Sequence, residues 1–279
     1  MLLCCAESAV SSPSVTTIVT PDTLSVEQQR KFDYFYLEAL RLKGEKKYSA
    51  AFDMIQHCQT INPQAPEALY ELGKYYLTLQ KDTQSLSAFQ AAVNAAPQNY
   101  WYNQALASLY MQQEDSIKAT ETFELITKRF PNRRDPLLSL LDLYKQQTNY
   151  PKIIQTLDRL EGVMGKNEQI SMEKFKVYVQ MNDNKKALNE IESLTKKYPQ
   201  DNRYQVLLAN AYMQNNKKTE AYNIYNKVLA AEPDNSMALY YLANYYKVVG
   251  QKEKYENQLN IFVLNKKVAS EAKVDVMPL

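Results

Sequence analysis

Apolar side chains recur along most of this chain at helical spacing. Leu69, Leu72, Gly73 and Tyr76 fall at i, i+3, i+4 and i+7, and between Gln84 and Ala95 the same pattern returns as Leu86, Phe89, Ala92 and Val93. Each set lies on one side of a helix, so each predicts an amphipathic α-helix. The pair of patterns is itself repeated. A 34-residue ruler laid from Phe32 begins new units at Pro66, Tyr100, Arg134, Glu168, Asn202 and Ser236 with no insertion or deletion. The eleventh slot reads Leu42, Tyr76, Tyr110, Tyr144, Tyr178, Tyr212 and Tyr246. The eighth and twentieth are small in most units: Ala39 with Ala51, Gly73 with Ser85, Ala107 with Ala119, Ala209 with Ala221. The twenty-fourth is large and apolar in all seven units: Ile55, Phe89, Phe123, Leu157, Ile191, Tyr225 and Leu259. Proline fills the thirty-second slot in five units, at Pro63, Pro97, Pro131, Pro199 and Pro233.

A period of this length is the mark of a repeat architecture. Each unit is predicted as two helices. Small residues at the eighth and twentieth slots let the pair approach, the large residue at the twenty-fourth fills the space beside them, and proline, lacking a backbone donor, ends the second helix. One such pair cannot bury its own apolar face, so the units must stack.

Composition removes alternatives. With five Gly among 279 residues, phosphate-cradling loops and β-rich folds are disfavoured. A single His excludes any catalytic or metal arrangement that needs two. Lys and Arg number 33 against 31 Asp and Glu, a net charge of +2, which argues against an obligatory nucleic-acid partner. No apolar run is long enough for a transmembrane helix. No catalytic residues, metal ligands, cofactor or small-molecule substrate are expected.

The repeated residues resemble those of the tetratricopeptide repeat (TPR) family over nearly everything from Phe32 to about Ser270. The resemblance implies an all-α solenoid, a right-handed superhelix of seven helix-turn-helix units. It also implies a concave groove lined by the first helices, in a family made up mostly of non-catalytic protein-binding scaffolds. Slots 4, 7, 8 and 11 cluster on one side of each first helix, and slots 2, 5, 9, 12 and 13 on nearly the opposite side. The resemblance places that second side in the groove. The partner-binding residues so named are Tyr36, Tyr70, Gln104, Leu138, Met172, Val206 and Tyr240 at the fifth slot, and Lys74, Ser108, Asn210 and Asn244 at the ninth. Trp101 at the second slot and Met111 at the twelfth complete the set. With no Lys or Arg at the fifth slot, a clamp for a peptide's C-terminal carboxylate is not expected. An apolar or mixed protein segment, anchored by Tyr and Trp, is. The eleventh-slot tyrosines are expected in the core, Cys58 as a small core residue and His57 as plain surface.

Some units depart from the pattern. Leu141 and Ile153 take the small slots of the fourth, where Gly165 replaces proline and Pro151 fits the first turn of a helix. Phe175 and Lys174 break the pattern in the fifth, and a change of curvature is expected around residues 141–175. The expected organisation is an N-terminal tether and helix start over 1–31, the solenoid over 32–269 and a tail over 270–279, which either starts a further first helix or folds back as a cap. Ile261, Phe262 and Leu264 are expected to leave an apolar end.

Leu2-Leu3-Cys4-Cys5 followed by a Ser/Thr/Pro-rich stretch resembles the end of a bacterial lipoprotein signal. It implies lipidation at Cys5 and a periplasm-facing place in the bacterial cell envelope. The alternatives are a mis-set start with two incidental cysteines, and a cytoplasmic protein. For function, the alternative to a free-standing scaffold is a regulatory or targeting module at the front of a longer enzyme or assembly protein.

Overall fold

A computed structural model describes residues 24–266 and 268 of the chain. Cys4, Cys5 and the tail from Ser270 lie outside the described residues. Fourteen helices and no strand occur among the described residues, forming an all-α solenoid of seven helix-turn-helix units. The first helices are α1 (Val26–Gly44), α3 (Pro66–Thr78), α5 (Tyr100–Gln112), α7 (Arg134–Gln146), α9 (Glu168–Gln180), α11 (Asn202–Gln214) and α13 (Ser236–Val248). The second helices are α2 (Tyr48–Ile61), α4 (Asp82–Ala95), α6 (Ser116–Arg129), α8 (Tyr150–Met164), α10 (Asn184–Lys197), α12 (Lys218–Ala231) and α14 (Lys252–Leu264). Six of the seven ruler marks coincide with helix starts. The exception is α1, which begins six residues before Phe32 because Ser25 and Gln28 form a reciprocal capping box. The chain divides into two compact units between Leu106 and Ala107.

The turn inside each pair is the same in all seven. Its fifteenth-slot residue has positive φ: Lys46, Gln80, Glu114, Thr148, Asn182, Asn216 and Gly250. The next N–H then donates back to the carbonyl of the eleventh-slot residue, as in Lys81 N to Tyr76 O at 2.8 Å and Asn149 N to Tyr144 O at 2.9 Å. This Schellman closure satisfies carbonyls that the helix end would leave unpaired. Only the last unit meets the left-handed conformation with glycine. Between units, the second helix stops two residues before proline, or at Gly165 with φ 76 in the fourth unit. Pro151 sits in the first turn of α8, as expected.

The core follows the slots. Ala39, Ala51, Ala107, Ala119, Ala209 and Ala221 are buried where paired helices meet, and Gly73 lies against the Phe89 ring. The Ser85 hydroxyl donates to the Gly73 carbonyl at 2.9 Å, so the close approach is also bonded. Leu141, Ile153 and Phe175 are buried despite their size. Lys174, which replaces the usual leucine, is buried as a cation paired with Asp158 (2.6 Å) and Glu161 of α8. The eleventh-slot tyrosines are buried or half-buried, several beneath a lysine: Lys152 Nζ lies 5.8 Å from the Tyr144 ring centroid and Lys186 Nζ 5.4 Å from that of Tyr178. Cys58 is buried, its thiol facing the Phe32 carbonyl at 3.8 Å. His57 is exposed and stacks on Phe35 at 4.9 Å. Phe262 differs from expectation. It is buried against Leu239 and Val268, while Ile261 and Leu264 are exposed.

Candidate functional site

The face of each first helix that its partner helix does not cover is the site candidate, and each compact unit presents its own. In the N-terminal unit this face is aromatic. Tyr36 and Tyr70 are half-buried; the Tyr36 ring stacks on Phe32 at 6.0 Å, and Tyr70 lies 4.9 Å from Tyr102. Lys74 Nζ sits 4.5 Å over the Tyr70 ring. Trp101 is 60% exposed, set edge-on to Tyr100, whose hydroxyl donates to half-buried Gln104 at 3.3 Å. Beneath the tyrosines the Glu71 carboxylate is buried and accepts from Lys43 Nζ at 2.8 Å and from Lys74 Nζ. Burial, and then the negative charge of Glu71 and Glu67, pushes the Tyr36 phenol up to about 12. Burial, reinforced by the neighbouring Lys43, holds the Lys74 ammonium below its ordinary value despite Glu71.

In the C-terminal unit the corresponding face forms a groove of about 580 Å³ across α9, α11 and α13. Its apolar lining is Met172, Leu207 and Met237. Its polar lining comes from α9, with Glu168, Gln169, Glu173 and Lys176, and from α11, with Arg203 and Tyr204. Glu173 accepts from Lys145 Nζ at 2.8 Å and Lys176 Nζ at 3.1 Å. Burial pushes its carboxyl up, but these two bonds and charges outweigh it and hold the group below its ordinary value. The Tyr204 hydroxyl of α11 donates to Glu168 of α9, and Arg203 is tied to Asp201 at 2.6 Å. Burial first, then Glu168, pushes the Tyr204 phenol up to about 12. The lining offers apolar contact and charge of both signs. No group of three or more His, Cys, Asp or Glu that could hold a metal ion occurs among the described residues.

The structure sorts the residues read from the sequence. Met172 lines the groove, Leu138, Ser108 and Met111 are exposed, and Asn210 and Asn244 are half-buried. Tyr240 is half-buried and leans on Phe262 at 5.7 Å. Val206 needs correction: it is 0% exposed, enclosed with Ala209, Tyr225 and Ala238, and has no surface to offer a partner. Its slot points inward there because a small, branched side chain leaves room for the large rings of α12 and α13 to close over it. Arg203 and Met237 were missed although they share the second slot with Trp101, so the periodicity contained them. Glu71, Glu173 and Leu207 occupy the sixth slot, which straddles the two sides of the helical wheel and gave no signal.

The comparisons agree with this geometry. A family model described as tetratricopeptide repeat matches residues 37–100, and one described as the Psidin N-terminal TPR repeats region matches 178–274. No curated protein matches the chain at a significant level. Among solved structures, the C-terminal part of a TPR repeat-containing protein from Cytophaga hutchinsonii has 15% identity and a TM-score of 0.52, covering 88% of this chain and 100% of that one. A chain from the structure of Naa15/Naa10 bound to HypK-THB has 18% identity and a TM-score of 0.57; the match covers 88% of this chain but 39% of that one. A tetratricopeptide repeat protein from Parabacteroides merdae has 15% identity and a TM-score of 0.49, over 88% and 97% of the two chains. At these identities the likeness is one of fold. Repeat pattern, fold and family matches together support a TPR protein, of a kind that generally serves as a protein-interaction scaffold.

Proposed function

We propose that the chain is a non-catalytic scaffold that holds a segment of a partner protein on the free faces of its first helices. The observation that carries this reading is the groove across α9, α11 and α13, where Met172, Leu207 and Met237 line the opening together with charged residues of both signs. Met237 and Leu138 are exposed apolar side chains on helices, so the backbone that carries them is already ordered before a partner arrives. The Tyr36, Tyr70 and Trp101 face of the N-terminal unit supplies the aromatic character enriched at binding hot spots. The chain in the Naa15/Naa10 structure is seen with a protein partner, which is the kind of ligand proposed here.

Affinity purification with the wild-type chain and with Met172→Asp/Met237→Asp tests the reading. A protein partner lost with the groove variant but retained with Ile117→Asp, a change at an exposed second-helix position, is the expected result. A partner retained by both places binding elsewhere. We further propose, from the Leu2-Leu3-Cys4-Cys5 run alone, that Cys5 carries a lipid that tethers the scaffold to a bacterial envelope membrane. Intact-mass analysis should show an acyl-sized increment that Cys5→Ala abolishes; an unmodified Cys5 in the native host would remove this part.

A further inference from the structure

Lys145, Glu173 and Lys176 form an arrangement with more positive than negative charge, and its layering sets which charge a ligand meets first. Both oxygens of the Glu173 carboxylate are engaged, one by each ammonium. Each ammonium has three donors and gives one to Glu173, so donors remain. The lysine side chains are 42% and 61% exposed while that of Glu173 is 26% exposed. The cations are therefore the more exposed groups, Lys176 on α9 with Met172 and Lys145 on the preceding first helix, α7.

The same three residue types recur at the same slots three repeats earlier. Lys43, Glu71 and Lys74 are each offset by 102 residues from Lys145, Glu173 and Lys176. There again Glu71 lies beneath its two lysines, with a side-chain exposure of 9% against 38% and 35%. No other pair of consecutive units carries Lys at the twelfth slot followed by Glu at the sixth and Lys at the ninth. Elsewhere in the lining of the C-terminal groove, Arg203 pairs with Asp201 and Glu168 accepts from the Tyr204 hydroxyl, so the cations of the lysine arrangement are the ones left with open donors.

We propose that the Lys145–Glu173–Lys176 arrangement receives a side-chain carboxylate of the bound segment, so that the partner presents Asp or Glu next to an apolar anchor seated on Met172, Leu207 and Met237. This rests on the scaffold reading above and adds the chemistry of the ligand. The Coulombic gain at a partly exposed rim is modest, so the cations act mainly on specificity and on the rate of encounter.

The test is selection of random dodecapeptides, displayed with a free N-terminus and remade with amidated C-termini, on the wild-type chain. The expected ligands carry Asp or Glu within three residues of Leu, Ile, Met or Phe. Lys145→Glu/Lys176→Glu should weaken them about tenfold, and selection on that variant should enrich Lys or Arg at the same place. Lys145→Met/Lys176→Met, which adds no repulsion, should cost less. Unchanged far-UV circular dichroism controls for folding in both. Ligands that bind wild type and charge-reversed chains equally overturn the proposal, as does loss of all binding on amidation, which would assign the site to a chain-end carboxylate. If selected peptides are indifferent to Met172→Asp/Met237→Asp, the scaffold reading of this groove fails, a result distinct from failure of the charge rule.

Discussion

Tyr225→Phe should stabilise this protein, against the usual direction of core substitutions. The ring fills the twenty-fourth slot of the sixth unit, 0% exposed, enclosed by Val206, Ala209, Ala221, Val228, Ala238 and Leu242 and stacked on Tyr241 at 6.4 Å. Its hydroxyl is buried and has no hydrogen-bond partner among the described residues. Burial pushes the phenol well above its ordinary value, so it stays protonated, a donor and acceptor with neither role filled. Leaving such a group unpaired costs about 1–3 kcal/mol. Removing one oxygen leaves a void smaller than a methyl group, which returns under about 1 kcal/mol of that. The net expectation is a gain of about 1 kcal/mol. Equilibrium urea unfolding at 25 °C, followed by circular dichroism, reads it as a higher midpoint with unchanged slope. The equivalent slots of the second and third units hold Phe89 and Phe123, both buried. Phe123→Tyr should therefore lose stability by a similar amount. A Tyr225→Phe midpoint below wild type would refute the reasoning.

Other consequences follow from the same slots. Thr148, exposed and β-branched, holds φ 53 at the turn position; Thr148→Gly should raise stability by about 0.5–1 kcal/mol in the same unfolding assay, because relief of left-handed strain exceeds the added chain entropy. A Cβ on Gly73 would meet ring atoms of Phe89 at 2.5 Å. Overpacking of about 1–3 kcal/mol should outweigh the helix-propensity gain of about 1 kcal/mol, so Gly73→Ala destabilises, and Phe89→Leu should cost less in that background than in wild type. The folded-state pKa values of Glu173 and Glu124 lie below their ordinary 4.5. Their contribution is therefore complete above that value and is lost as pH falls through the folded pKa, so the urea midpoint should drop below about pH 4.5, less steeply in Glu173→Gln.

Legibility differed between backbone, core and surface. Helix starts from Pro66 to Ser236 were readable because slot identity is fixed by burial, and burial leaves few residue choices. The start of α1 was not, since Ser25 and Gln28 act through a local cap that has no counterpart in the repeat. Glycine scarcity concealed the turns: six of seven left-handed positions carry Lys, Gln, Glu, Thr or Asn, which accept the strain because the Schellman bonds fix the helix end. The groove was legible as a face but not as a site. Met172 was named, whereas Lys145 and Glu173 gain meaning only from a pairing between consecutive units, and Val206 was misplaced because neighbouring rings decide whether its slot is covered. Lys174 was visible as an anomaly; its partners Asp158 and Glu161, on the preceding helix, were not.

A partner segment held on the first-helix faces should lie within reach of the groove side chains. A photo-crosslinking amino acid placed at Met237, in the groove, and separately at Gln155, on the exposed side of α8, tests it directly in the intact chain. Partner adducts are expected from position 237, competed away by a selected peptide, and none from position 155. Adducts from 155 with none from 237 would contradict it.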